Sequence, residues 1–283
     1  SSVSISKRFH VSDTYAHDVF DRYVKLDRLP LTNALSVDEV FLDMDNDCKY
    51  ALVIQDFHTG DPIDLLRSRR TNVTEPYFAA LPMEERAAVK YLISDMYNQY
   101  ITYVDKYFPN AVPVVDSFHV IQWIIRKVDN YIRQLLKKYR QRDRELQEKL
   151  SRQQQKTVSF PVSDEVYILQ KYRWLILSNQ SNILYHSDLR MDPHFHVLMN
   201  TYDYESWLFR IAPNLKDYRD LKELYIQFNT RNAGNPVSAR KELTELIQVY
   251  MKSGHEIFRE FASLLEKYQD PIINSFIKIG RAH

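Results

Sequence analysis

Cysteine is nearly missing from this sequence. Its one thiol, Cys48, excludes an internal disulfide and any multi-cysteine zinc site, and makes a reducing cytoplasm the default compartment. Glycine is almost as scarce, with four residues against 20 tyrosines and 14 phenylalanines. No Gly-rich phosphate loop is present, since neither GxGxxG nor GxxxxGKS/T occurs. No apolar run approaches the ~20 residues that a membrane-spanning helix needs, and no secretory signal opens the chain. Net charge is also lacking. With 38 Lys and Arg against 37 Asp and Glu the balance is +1, so nucleic acid would have to be attracted by local patches.

What is present fits a folded protein. Hydrophobic residues make up 45% and charged residues 27% of 283 residues, enough for one large domain or two modest ones, with aromatics to fill the core. The chain begins Ser1-Ser2-Val3-Ser4-Ile5 with no initiator methionine, and both ends are expected to be truncations.

Pattern divides the chain into zones. Residues 1–29 read as helical, with Ser12 as N-cap of a helix that carries Tyr15, Val19, Phe20 and Tyr23 on one stripe and ends before Pro30. Phe9–Tyr23 is a candidate partial helix-turn-helix in which Thr14, Tyr15 and His17 would face base edges. Residues 30–120 switch to strand signals. Leu35–Leu42, Tyr50–Phe57 and Ile63–Leu66 are short apolar runs separated by turn clusters. A helix at Glu75–Arg86, a strand at Val89–Ser94, a helix at Met96–Phe108 and a strand at Val112–Val115 follow. The order βββαβαβ predicts an α/β fold, a mixed sheet with helices on its faces. Residues 121–268 read as a large all-helical insertion. A long basic helix at Ile121–Lys156 leads into helices at Asp164–Leu177, Phe195–Arg210, Leu215–Phe228, Val237–Lys252 and Ile257–Tyr268. Residues 269–283 open another helix at Pro271.

Three motifs sit at informative points of that order. They are Val37-Asp38-Glu39 on the first strand, Ile93-Ser94-Asp95-Met96 at the end of the fourth, and Pro109-Asn110-Ala111 leading to Val115-Asp116-Ser117-Phe118-His119-Val120. Together, and with Lys171-Tyr172-Arg173-Trp174-Leu175 in the helical zone, they resemble the DDE transposases of the ISL-three-type insertion sequences over roughly residues 30–280. The resemblance implies a ribonuclease H-like core in which the first and fourth strands are neighbours. It also implies that Asp38 and Asp95 are catalytic, binding Mg²⁺ or Mn²⁺. The third family acid is a glutamate after an S-N-G turn, downstream of a segment like Ile273-Asn274-Ser275-Phe276-Ile277. The sequence stops at Gly280-Arg281-Ala282-His283, so it is expected to hold metal poorly and turn over little. The implied partner is double-stranded DNA, as element ends and target, in a bacterial cytoplasm. A homodimer is an admissible assembly.

Converging carboxylates repel, and a hard divalent cation relieves that repulsion through oxygen ligands. Two such ions could activate water or a 3′-hydroxyl and stabilise the leaving oxygen. Asp116 either supports the metal shell or caps the helix that starts at Ser117. Glu39 points to the other strand face and is read as structural. His119 is read as a packed, hydrogen-bonded side chain. Asp43, Asp45 and Asp47 mimic the opening of an EF-hand loop, but Cys48 replaces the required glycine and Ile54 the terminal glutamate, so a hairpin turn explains them. His186, Asp188, Asp192, His194 and His196 could be drawn into a metal cluster, yet Asp192-Pro193 more simply starts a helix. Residues 126–156 hold 11 Lys and Arg against four acids, and Arg126, Lys127, Arg133, Lys137, Lys138, Arg140 and Arg142 are candidate phosphate contacts. Arg67, Arg69 and Arg70 form a weaker patch. Two rival readings stay open: a catalytically silent DNA-binding or interaction fragment, and another ribonuclease H-like nuclease.

Overall fold

A computed structural model describes residues 7–15, 18–19, 27–42, 49–154 and 162–279. The acidic turn at Asp43, Asp45, Asp47 and Cys48 lies outside the described residues. Five strands are β1 (Ala34–Phe41), β2 (Tyr50–Asp56), β3 (Pro62–Leu66), β4 (Tyr91–Ser94) and β5 (Val112–Val115). They form one mixed sheet in the order β3-β2-β1-β4-β5, so β1 and β4 are neighbours as the resemblance implied. The observed order, βββααβαβ with two helices between β3 and β4, is compatible with a ribonuclease H-like core. β1 and β2 pair antiparallel with Asp38 opposite Val53 and Glu39 opposite Leu52. β2 and β3 are likewise antiparallel, with an irregularity between Ile54 and Gln55. Their turn is built by Asp56, whose Oδ1 accepts from the His58 and Thr59 amides, and by Gly60 at φ +79°, where a side chain would be strained.

Two compact units divide the chain: Ser1–Leu92 with Tyr103–Ala111, and Ile93–Thr102 with Val112–His283. In the first, the expected helix Glu75–Arg86 is two helices, α1 (Thr71–Ala80) and α2 (Met83–Ala88), because Pro82 forces Leu81 into extended backbone. Phe78 anchors α1, its ring 5.2, 5.9 and 5.6 Å from those of Tyr103, Tyr107 and Phe108. Burial of such a ring contributes ~1.5–3 kcal/mol. The chain entering β1 is fixed by Glu85, which accepts from both terminal nitrogens of Arg28 at 2.7 and 2.8 Å and from the Leu31 amide at 3.1 Å.

Among its described residues from Ser117 onward the second unit is mostly helical, with one short hairpin and a 3-10 turn, Gln180–Asn182, as its other elements. Following α3 (Asn98–Tyr107) and β5 comes α4 (Ser117–Gln154), four residues longer at its start than the expected Ile121. Val120, Ile124, Val128, Ile132 and Leu136 recur every fourth position on its buried stripe, and no residue after Leu136 is buried in α4. The remaining helices are α5 (Asp164–Tyr172), α6 (Trp174–Leu177), α7 (Thr201–Ile211), α8 (Asn214–Arg231), α9 (Pro236–Lys252), α10 (Glu256–Lys267) and α11 (Gln269–Asn274). One core joins them, with Leu208, Tyr225, Phe228, Leu243, Tyr250, Phe258 and Phe261 all fully buried. Asn274 donates to the Pro113 carbonyl at 2.8 Å and so ties α11 to β5. Lys222, wholly buried, donates to the Ser178 carbonyl at 2.6 Å and pairs with Glu223, closing the end of α6.

Three sequence expectations fail in this unit. The helix expected from Asp164 to Leu177 breaks at Arg173. The helix expected from Phe195 begins at Thr201, where Asn200 and Asp203 form a capping box. The residues before it instead form the hairpin β6 (Arg190–Met191) and β7 (Leu198–Met199). The helix expected to run on from Pro271 stops at Asn274. None of the described helices is long and apolar enough to cross a membrane.

Candidate functional site

Asp38 stands on β1 between Val37, which is buried, and Glu39. Its carboxylate is exposed, and its Oδ1 accepts from the Glu39 amide at 2.7 Å. Glu39 turns to Arg69, at 2.5 Å, and the same guanidinium lies over the Tyr50 ring at 5.1 Å. The structural reading of Glu39 therefore holds, and Arg69 is partly withdrawn from the patch expected with Arg67 and Arg70.

Asp95 and Asp116 belong to the second unit. Asp95 follows β4 in a turn, half-buried, with the Tyr97 amide donating to its Oδ1 at 3.1 Å. Asp116 follows β5, and its amide donates to the Ser94 carbonyl at 3.0 Å, so the two strand ends run side by side. Its Oδ1 accepts from the Phe118 amide at 2.9 Å, which makes Asp116 the N-cap of α4. Of the two roles left open by sequence, capping is thus present, on one oxygen. His119 is half-buried with its ring edge-on to Phe118 at 5.6 Å. It makes no ring hydrogen bond among the described residues, against the expectation. Asp38, Asp95 and Asp116 each offer carboxylate oxygens, the hard donors that Mg²⁺ or Mn²⁺ takes. Among the described residues no three His, Cys, Asp or Glu side chains are already gathered as a metal cluster.

The His and Asp residues at 186–196 serve the hairpin. Asp192 does not start a helix; it closes the β6–β7 turn, 1% exposed, with Oδ1 accepting from the His194 and Phe195 amides at 2.8 and 3.0 Å. Its Oδ2 accepts from the hydroxyls of Tyr167, Tyr172 and Tyr204 at 2.8, 3.3 and 2.9 Å. Burial pushes this carboxyl upward, but the backbone and tyrosine hydrogen bonds outweigh it and hold the group down at about 2. His194 stacks on Tyr167 at 4.3 Å and meets Asp164 at 2.8 Å. His186 and Asp188 are exposed. No metal role is needed to explain any of them.

The basic residues of α4 separate into classes that composition did not resolve. Lys127 is paired with Glu260 at 2.6 Å, and Arg142 is held by both oxygens of Glu165 at 2.8 and 2.9 Å. Arg133, Lys137 and Arg140 instead line a groove of about 690 Å³ together with Arg144, Gln170 and Arg173. Arg126 and Lys138 are exposed. Sequence reasoning missed Arg144 and Arg173 as groove residues. Arg144 continues the i, i+4, i+7 spacing of Arg133, Lys137 and Arg140, a signal that was readable; Arg173 reaches the groove only through tertiary packing. At the N-terminus residues 7–9 and 13–15 are helical, and Ser12 caps the second turn by accepting from the Tyr15 amide at 3.1 Å. Thr14 and Tyr15 are exposed there, while His17 lies outside the described residues.

A mixed sheet with aspartates on β1 and just past β4 and β5, followed by a long basic helix, makes this an α/β protein. The family model for ISL-three-type DDE elements, described as transposase, matches residues 35–282. The chain belongs to that transposase family. No curated protein and no solved structure matches it.

Proposed function

We propose that the protein acts in metal-dependent DNA cleavage and strand transfer at insertion-sequence ends, with Asp38 and Asp95 as catalytic carboxylates. One observation carries this reading: within a chain of the transposase family, the two motif aspartates fall on β1 and at the end of β4, strands that are neighbours in the sheet. Double-stranded DNA is the partner, and the helical region after β5 is an insertion in a ribonuclease H-like core. The exposed Asp38 carboxylate is suited to accept a cation, having only the Glu39 amide as a hydrogen-bond partner among the described residues. Asp116 holds the start of α4 and offers support through the oxygen its cap leaves over. A divalent ion bound there would lower the pKa of an attacking hydroxyl and neutralise charge on the phosphate. The protein's own part is to fix the carboxylates on strands, where packing limits their movement.

The test is nicking of terminal-repeat duplex by the full-length gene product with Mg²⁺ or Mn²⁺. Asp38→Asn and Asp95→Asn should each abolish nicking while leaving thermal unfolding unchanged. Wild-type nicking by Asp38→Asn overturns the assignment.

A further inference from the structure

The groove between α4 and the α5–α6 junction has a charge pattern that folding does not use up. Arg133, Lys137, Arg140 and Arg144 follow one another at i, i+4, i+7 and i+11 on α4, and Arg173 faces them from the break between α5 and α6. A helix rises ~1.5 Å per residue, so the four cations form a stripe ~16 Å long. Two carboxylates stand at its edge: Asp129, 2.6 Å from Arg133 and 3.5 Å from Arg173, and Glu145, which accepts from the groove residue Gln141 at 3.0 Å. Arg140 donates to the neutral Gln170 at 2.8 Å. Lys137 and Arg144, both exposed, have no ion-pair or hydrogen-bond partner among the described residues. Five cations against these two carboxylates leave a net positive field in a concave wall, which concentrates anions.

We infer that this groove is a seat for the phosphate backbone of duplex DNA, gripping one strand along the axis of α4 without reading its sequence. The ligand class follows from the pattern. A single small anion would occupy one or two of these cations, whereas a stripe of this length matches an anion that repeats its charge, and DNA does so every ~3.4 Å of axis on each strand. Guanidinium forks can bind phosphate oxygens in pairs, and the groove supplies four of them. The groove also narrows the DNA-contacting part of α4: Lys127 and Arg142 hold helices together, while Arg144 and Arg173 join the contact surface. The inference rests on the DNA-processing reading above, but it makes a claim separable from catalysis.

The experiment is fluorescence anisotropy of a labelled duplex titrated with the 283-residue chain across about 50 to 200 mM salt. Lys137→Gln with Arg144→Gln is compared with a charge-matched control, Lys216→Gln with Lys252→Gln, on exposed positions of the same unit. Glutamine keeps helix propensity close to that of lysine and arginine, so both pairs should unfold like the wild type. The groove pair should reduce the slope of log affinity against log salt by about two, while the control leaves the slope unchanged. Equal slopes for the two pairs overturn the groove assignment and leave the DNA reading standing. Absence of binding by the wild type even at low salt removes both.

Discussion

Strand β1 and the β6–β7 hairpin each present an aspartate, and the protein treats the two side chains in opposite ways. Asp192 is buried under three tyrosine hydroxyls and two backbone amides, so its lone pairs are used by the fold. Asp38 is exposed on a strand whose first half, Ala34, Leu35 and Val37, is buried, and it accepts one backbone hydrogen bond. A carboxylate saturated by protein donors is stable in place but has little left with which to bind a cation. One that stays open contributes little to stability and remains available for chemistry. Both lie in motif-like sequence, Asp192 beside three histidines, yet only the pattern of donors around each separates structural from functional use.

The largest effect that would sharpen this contrast is on activity. Asp38→Asn should reduce metal-dependent nicking by the full-length protein on the order of 10³-fold, because several kcal/mol of charge stabilisation accompany a bound metal. Its melting temperature should equal that of the wild type. A destabilised Asp38→Asn with normal nicking would break the comparison by making Asp38 the structural member.

Asp192→Ala is the converse experiment. It strands three hydroxyls and two amides in a buried site, and it should cost about 3 kcal/mol, read by denaturant unfolding of the purified chain. Stability unchanged by the substitution would mean that the tyrosine cage contributes nothing. Acid adds a second view of the same group. Its folded pKa, about 2, lies below the ordinary value of 3.8, so the stability it supplies is complete above pH ~4 and is lost as pH falls toward 2. Thermal melts of Asp192→Asn should therefore show a flatter acid limb than the wild type between those two values. Parallel limbs would show that Asp192 does not titrate in this window.

These two sites also mark how far the sequence could be read. The five strands were legible because short apolar runs are bounded by turns with identifiable chemistry, such as Asp56 with Gly60, and the aspartates of interest followed from their motifs. The hairpin was not. Strands of two residues leave no period to detect, and Asp192-Pro193 imitates a helix start, although Asn200 with Asp203 at the third helical position was a readable capping box. Arg173 breaks a helix with no Gly or Pro nearby to announce it, so its approach to the α4 groove is a product of packing alone. The segment Lys171-Tyr172-Arg173-Trp174-Leu175 gains a physical reading from this: Tyr172 holds Asp192, and Arg173 faces the groove.

Glu85 is an intermediate case and gives the smallest predicted effect. Like Asp192 it is held by protein donors, but those are the Arg28 fork and a single amide at a partly open surface. The Arg28 hydrogen bonds come first among the causes that bring its carboxyl down to about 2. Water competes for such a pair, so Glu85→Gln should cost only about 1 kcal/mol, less than Asp192→Ala. The sign with pH is the same as for Asp192: the pair supports the fold above pH ~4.5 and is lost as pH falls toward 2. The substitution should thus matter at neutral pH and become nearly silent near pH 2, read as the difference between wild-type and Glu85→Gln melting temperatures at each pH. A difference that persists unchanged into acid would mean that Glu85 acts by shape at the entrance to β1, through the Leu31 amide, and not by its charge.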